Sequence, residues 1–135
     1  MEQTLAIIKP DAVKKKYIGN IIARIERENF DIVRLKLLTL TKKKAQSFYE
    51  IHKNLSFFGE LVEFMCSGPV VVMVLEKEDA VVSWRNVMGA TDPDKAAEGT
   101  LRKLYGSSIG ENTTHGSDSL ENAKREVVFF FPEYA

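Results

Sequence analysis

Val70–Leu75, VVVMVL, is the longest uninterrupted apolar stretch of the chain. A strand of that kind has no face to offer water, so the sheet it belongs to must be covered by helices. Leu5–Ile8, Ile32–Leu40 and Val127–Phe131 are nearly continuous apolar runs of strand length as well. Between them the period changes. Ile18, Ile21, Ile22 and Ile25 fall at i, i+3, i+4 and i+7, which predicts an amphipathic helix over residues 19–29 with Arg24, Arg27 and Glu28 toward water. Asn29 can take the left-handed turn that ends it. Thr41 is placed to cap a helix carrying Ala45, Phe48 and Tyr49, and Phe58, Leu61, Val62 and Met65 make a further stripe, so a helical hairpin separates the second and third strands. Asp79 is placed to cap a helix through Val81, Val82 and Trp84, and Asp94–Tyr105 reads as mixed helix and loop. The order predicts an α+β sandwich with a four-stranded, mostly antiparallel sheet.

The chain has 135 residues, enough for one domain with a real core and no disulfide or structural metal. Lys+Arg and Asp+Glu each number 19, so no overall field draws nucleic acid or anionic lipid, and any anion site must be local. Lys14–Lys16 and Lys42–Lys44 read as solvated turns. The single Cys66 cannot form an internal bridge and points to a buried thiol in a reducing, cytoplasmic setting. Neither a secretory leader nor a run long enough to cross a membrane is expected.

Two histidines are present. His52, in YEIHKN, reads as an ordinary helix residue. His115 lies in NTTHGSDS, where Gly116 allows a sharp turn that displays the ring. Asp118 and Glu121 have capping-box spacing, and Leu120, Ala123 and Val127 have helical spacing, so a helix is expected to begin just after His115. The positive end of that helix would favour an arriving anion, and a neutral imidazole beside an anion site is a nucleophile for phosphoryl groups. A plain loop histidine is the alternative. One histidine without further His or Cys at ligand spacing builds no transition-metal site.

NTTHGSDS, TLAIIKPDAV, SGPVVVMVL and TDP occur in one order along the chain. Together with Glu126 they resemble the nucleoside diphosphate kinase family, over essentially the whole of residues 1–135 as a single domain of ferredoxin-like βαββαβ form. The resemblance implies transfer of the γ-phosphate of a nucleoside triphosphate to a nucleoside diphosphate, by a ping-pong route through phosphohistidine at His115. It implies that Glu126 holds the other ring nitrogen and that Ser117 positions Glu126. Lys9, Arg85, Thr91 and Arg102 match phosphate-binding positions, Tyr49 a hydroxyl near Lys9 and the histidine, and Asn112 a residue at the sugar. Phe57 and Ile109 match apolar groups on either side of the base, which implies broad base specificity. Read from the residues alone, IIKPDA is a strand running into a turn, and each arginine could be a surface residue. Mg²⁺ is expected on the nucleotide's own phosphates, with no dedicated protein site.

Some positions depart from the family pattern. SFFGELVEF stands where the family commonly has a proline before the two phenylalanines and a Pro-Gly after them, with Ser56 and Glu60 among the changes; Lys103 and Leu104 follow Arg102 where a glycine and an acidic residue are common, and Glu98 replaces a proline before Gly99. The chain ends at PEYA, without the longer tail of hexameric eukaryotic members, so a homo-oligomer is expected, either tetramer or hexamer. A silent nucleotide binder and a histidine phosphocarrier between proteins are the rival readings.

Overall fold

A computed structural model describes residues 1–135. Four strands, β1 (Glu2–Ile8), β2 (Asp31–Leu38), β3 (Val70–Lys77) and β4 (Thr114–Gly116), form one sheet in the order β2-β3-β1-β4, and every pairing is antiparallel. Seven helices accompany them: α1 (Pro10–Lys14), α2 (Ile18–Arg27), α3 (Lys42–Phe48), α4 (Phe58–Met65), α5 (Ala80–Met88), α6 (Leu101–Tyr105) and α7 (Leu120–Phe130). This is the ferredoxin-like βαββαβ arrangement, with α2 and α5 as its two crossover helices and the α3–α4 hairpin inserted between β2 and β3.

Alternation along the central strands explains their unbroken apolar character. Leu5 and Ile7, with Val70, Val72 and Val74, pack on one face against Phe48, Met65 and Phe130 from α3, α4 and α7. Ala6 and Ile8, with Val71, Met73 and Leu75, pack on the other against Ile21 and Ile25 of α2 and Trp84 and Met88 of α5. Both faces are dry, so every position from Val70 to Leu75 is buried. Strand β2 is a sheet edge and keeps Leu35 and Leu37 exposed, at 48% and 61%.

Local signals mostly settle where expected. Thr41 caps α3 by accepting a hydrogen bond from Lys44 N, and Asn29 sits at φ 66° just beyond α2. Four expectations need correction. Val127–Phe131 is not a strand but the end of α7; the fourth strand is Thr114–Gly116, which contains no large apolar residue. Asp79 precedes α5 at φ 51°, and its side chain caps nothing; the carboxylate of Glu2, from β1, accepts the Val81 N–H instead. The N-cap of α7 is Ser119 rather than Asp118, so the helix starts five residues after His115. The Cys66 thiol is only partly buried.

Candidate functional site

The final residues of β1 and the whole of β4 set the geometry. Ile7 pairs with His115, and the backbone N–H of Lys9 donates to Thr113 O at 2.8 Å. Alternate residues share a face, so Lys9 falls on the same side of the sheet as Ile7 and His115. Pro10 opens α1 and lacks a donor, while Lys9 keeps an extended backbone at φ −76°, ψ 165°. A lysine and a histidine distant in sequence are thereby fixed at one mouth of the sheet.

Gly116 is required for a different reason than the expected turn. Its backbone lies in the strand, and a Cβ there would come within 2.5 Å of Trp84 Cδ1 and 2.6 Å of Met88 Cε. The absent side chain lets β4 press onto α5, where Trp84 Nε1 donates to His115 O at 3.1 Å. The strand carrying the imidazole is therefore clamped from behind.

The ring itself is held on three sides. Phe48 and Tyr49 meet it edge-on, with centroids 5.4 and 6.3 Å away. Glu126 Oε1 lies 2.8 Å from His115 Nε2 and also accepts from Ser117 Oγ at 2.8 Å. The backbone N–H of Leu5 donates in turn to Ser117 Oγ at 3.2 Å. Nδ1 makes no hydrogen bond within the chain, and the ring lines a cleft of about 880 Å³.

Four Lys and Arg side chains line that cleft, and only Arg125 has a carboxylate at ion-pair distance, Glu126 Oε2 at 3.7 Å. The others are Lys9, Arg85 and Arg102, and none of them forms an ion pair. Lys9 is buried and donates from Nζ to Asn112 Oδ1 at 2.8 Å, while Asn112 Nδ2 donates to Thr91 O at 3.0 Å. Arg102 reaches Gly89 O and Thr114 O, each at 2.9 Å, and Asn112 O at 3.3 Å. Gly89 presents its carbonyl from a left-handed turn at φ 87° that closes α5. Burial, and then the charge of Arg102, lower the Lys9 ammonium to about 8. Burial, and then Arg85, lower Arg102 to about 10. Positive groups that depress one another, with no acid paired to them, form a site made for an anion.

Tyr49 adds a donor. Its buried hydroxyl has no partner, and burial followed by the charge of Glu126 pushes its ionisation upward, so it stays a neutral O–H at the cleft. Phe57 and Ile109 also line the cleft and are 48% and 61% exposed, apolar surfaces left partly open to it. Thr91 and Asn112 lie along the cleft, so the structure brings together every candidate except Ser117, which stands behind Glu126 with no exposed surface. The expectation of an ordinary helix residue at His52 differs from the structure. His52 lies in a 3-10 turn, its ring 6.4 Å from that of Tyr49 and 6.1 Å from that of Phe57, and it lines the cleft. Its i, i+3 spacing from Tyr49 was the available signal. Glu60 and Arg125, which no motif marked as binding residues, line the cleft too.

Comparison with known proteins agrees over the whole length. The family model described as nucleoside diphosphate kinase matches residues 2–135. The nucleoside diphosphate kinase of Chlorobaculum parvum is 59% identical over 131 residues, covering 97% of this chain and 94% of the relative. That of Persephonella marina is 55% identical with the same coverage. Among solved structures, the Aquifex aeolicus nucleoside diphosphate kinase superposes with a TM-score of 0.94 at 46% identity, covering 96% of this chain and 94% of the other. A halophilic nucleoside diphosphate kinase from Halobacterium salinarum, in complex with CDP, has a TM-score of 0.93 at 40% identity, with coverages of 96% and 87%.

Proposed function

This chain belongs to the nucleoside diphosphate kinase family and is a phosphotransferase acting between nucleoside tri- and diphosphates; from that premise we propose that the transfer passes through phosphohistidine at His115. The carrying observation is an imidazole whose Nε2 is engaged by Glu126 while Nδ1 stays free at a cleft lined by unpaired cations. A carboxylate only accepts, so the proton resides on Nε2 and the lone pair on Nδ1.

In the first half-reaction Nδ1 attacks the γ-phosphorus of the triphosphate. The Nδ1–phosphorus bond forms as the bond to the bridging oxygen breaks, and its electron pair leaves with the diphosphate. Positive charge then develops on the ring, and Glu126, fixed by Ser117, meets it at Nε2–H. In the second half-reaction a terminal oxygen of the acceptor diphosphate attacks the same phosphorus, and the nitrogen–phosphorus electrons return to Nδ1. Lys9, Arg85 and Arg102 hold the phosphate oxygens, Thr91 adds a polar contact to them, and the Tyr49 hydroxyl donates near the transferring group. Asn112 serves the sugar end and orients Lys9.

Phe57 and Ile109 hold the base between apolar surfaces. Stacking accepts any base, which supports broad specificity. No three His, Cys, Asp or Glu side chains cluster as a cage, and a cation-lined cleft suits an ion that arrives with its own phosphate ligands. Mg²⁺ carried by the nucleotide would neutralise phosphate charge there.

Residues 1–135 act as one domain in this reading, supported by two cores that share a single sheet. The exposed Leu35 and Leu37 on edge strand β2 support a homo-oligomer. No helix is long and apolar enough to cross a membrane. The unpaired Cys66 supports a cytoplasmic setting.

Steady-state turnover with ATP and a series of diphosphates tests the proposal. Purine and pyrimidine acceptors should be used within about tenfold of one another, and His115→Asn should abolish the exchange. A chain that binds nucleotide without turnover, or an active His115→Asn variant, contradicts it.

A further inference from the structure

Asp11 is nearly fully buried and takes no part in the chemistry above. Its Oδ2 accepts the backbone N–H of Thr113 at 3.0 Å, across more than a hundred residues of sequence, while its Oδ1 has no partner. Burying an acid in this way is costly, and burial raises its ionisation although the Thr113 N–H opposes the rise. Thr113 is itself unusual. A β-branched residue, it stands in the left-handed region at φ 81°, where such side chains are strained.

That strained peptide unit is the hub of the phosphate end. Thr113 O receives the Lys9 N–H, and its neighbours supply Asn112 Oδ1 to the Lys9 ammonium and the carbonyls of Asn112 and Thr114 to Arg102. The next residue but one is His115. We propose that Asp11 is a positioning residue: its carboxylate holds Thr113 in the left-handed turn, and the turn in turn aligns Lys9, Arg102 and the strand that bears His115. The inference rests on the phosphate-transfer reading of the cleft, but concerns a residue that touches no substrate.

The test uses the whole chain and pairs a loss with a specific rescue. Asp11→Ala removes the acceptor and should raise the Michaelis constant for the diphosphate about tenfold or more. It should also speed hydrogen exchange at the Thr113 amide, with circular dichroism unchanged. Asp11→Asn keeps an oxygen acceptor and should stay within about threefold of the parent. Thr113→Gly needs no clamp, because glycine occupies φ 81° freely; combined with Asp11→Ala it should return the Michaelis constant to that of Thr113→Gly alone. An unrescued double variant overturns the proposal, whether the single variant is folded but impaired or fails to fold. So does an Asp11→Ala chain with unchanged Michaelis constant and unchanged amide exchange. If the parent itself shows no turnover, it is the reading of the cleft that fails, and the exchange rates still decide whether Asp11 holds Thr113.

Discussion

A buried lysine beside a buried arginine is an unfavourable pair, and the molecule keeps it with Asn112 as the only side-chain partner of the Lys9 ammonium. Asp11 lies near enough to raise the Lys9 ionisation, but its carboxylate accepts the Thr113 N–H. The cost has a visible signature in pH. Lys9 in the free protein loses its proton at about 8, well under the ordinary 10.5. Below that point it is charged and attracts phosphate; above it the attraction fades. We therefore expect kcat/KM for the triphosphate, the substrate that meets the free protein, to fall as pH rises through about 8, and Lys9→Gln to flatten that limb, in initial-rate profiles from pH 6.5 to 9.5. The stability effect has the opposite direction. The unfolded chain holds more protons than the folded one between about 8 and 10.5, so Lys9's contribution to folding improves as pH climbs through that window.

At the scale of elements, β4 and α7 decide where the histidine points. Strand β4 is three residues long, Thr-His-Gly, and no apolar pattern announces it. It exists because β1 offers an edge and α5 leaves room only for glycine at 116. Gly116→Ala should cost about 1–3 kcal/mol by overpacking against Trp84 and Met88, and should lower turnover as β4 shifts, both measurable by denaturant unfolding and initial rates. The expectation of a strand at Val127–Phe131 failed for a related reason. Ala123, Val127 and Phe130 bury one face of α7, but Phe129 also packs against Phe48 and Phe131 is buried beyond the helix end, so covered surfaces on several sides make a helical terminus look like a strand. Periodicity found α2, α3 and α4 because each is wet on one side. It could not find β4, nor the use of Glu2 in place of Asp79 at the start of α5, because both depend on contacts between distant segments.

On the scale of the molecule, one sheet with two cores carries a cleft at the end of its central strands, and the chemistry comes from segments far apart in sequence. His115 was legible from its neighbours, but the cations of the cleft were legible only through motif resemblance: Lys9, Arg85 and Arg102 look ordinary one by one, and only the pairing of β1 with β4 and the packing of α5 and the hairpin converge them. His52 reaches the cleft from a 3-10 turn rather than from the regular helix its surroundings predict. The central claim is that His115 Nδ1 receives and releases the phosphoryl group. Incubation with ATP labelled at the γ-position, followed by peptide mapping under alkaline conditions, tests it most directly. The account predicts one acid-labile phosphate on the peptide containing His115, discharged on addition of any nucleoside diphosphate. Label on another residue, or label that a diphosphate cannot remove, would contradict it.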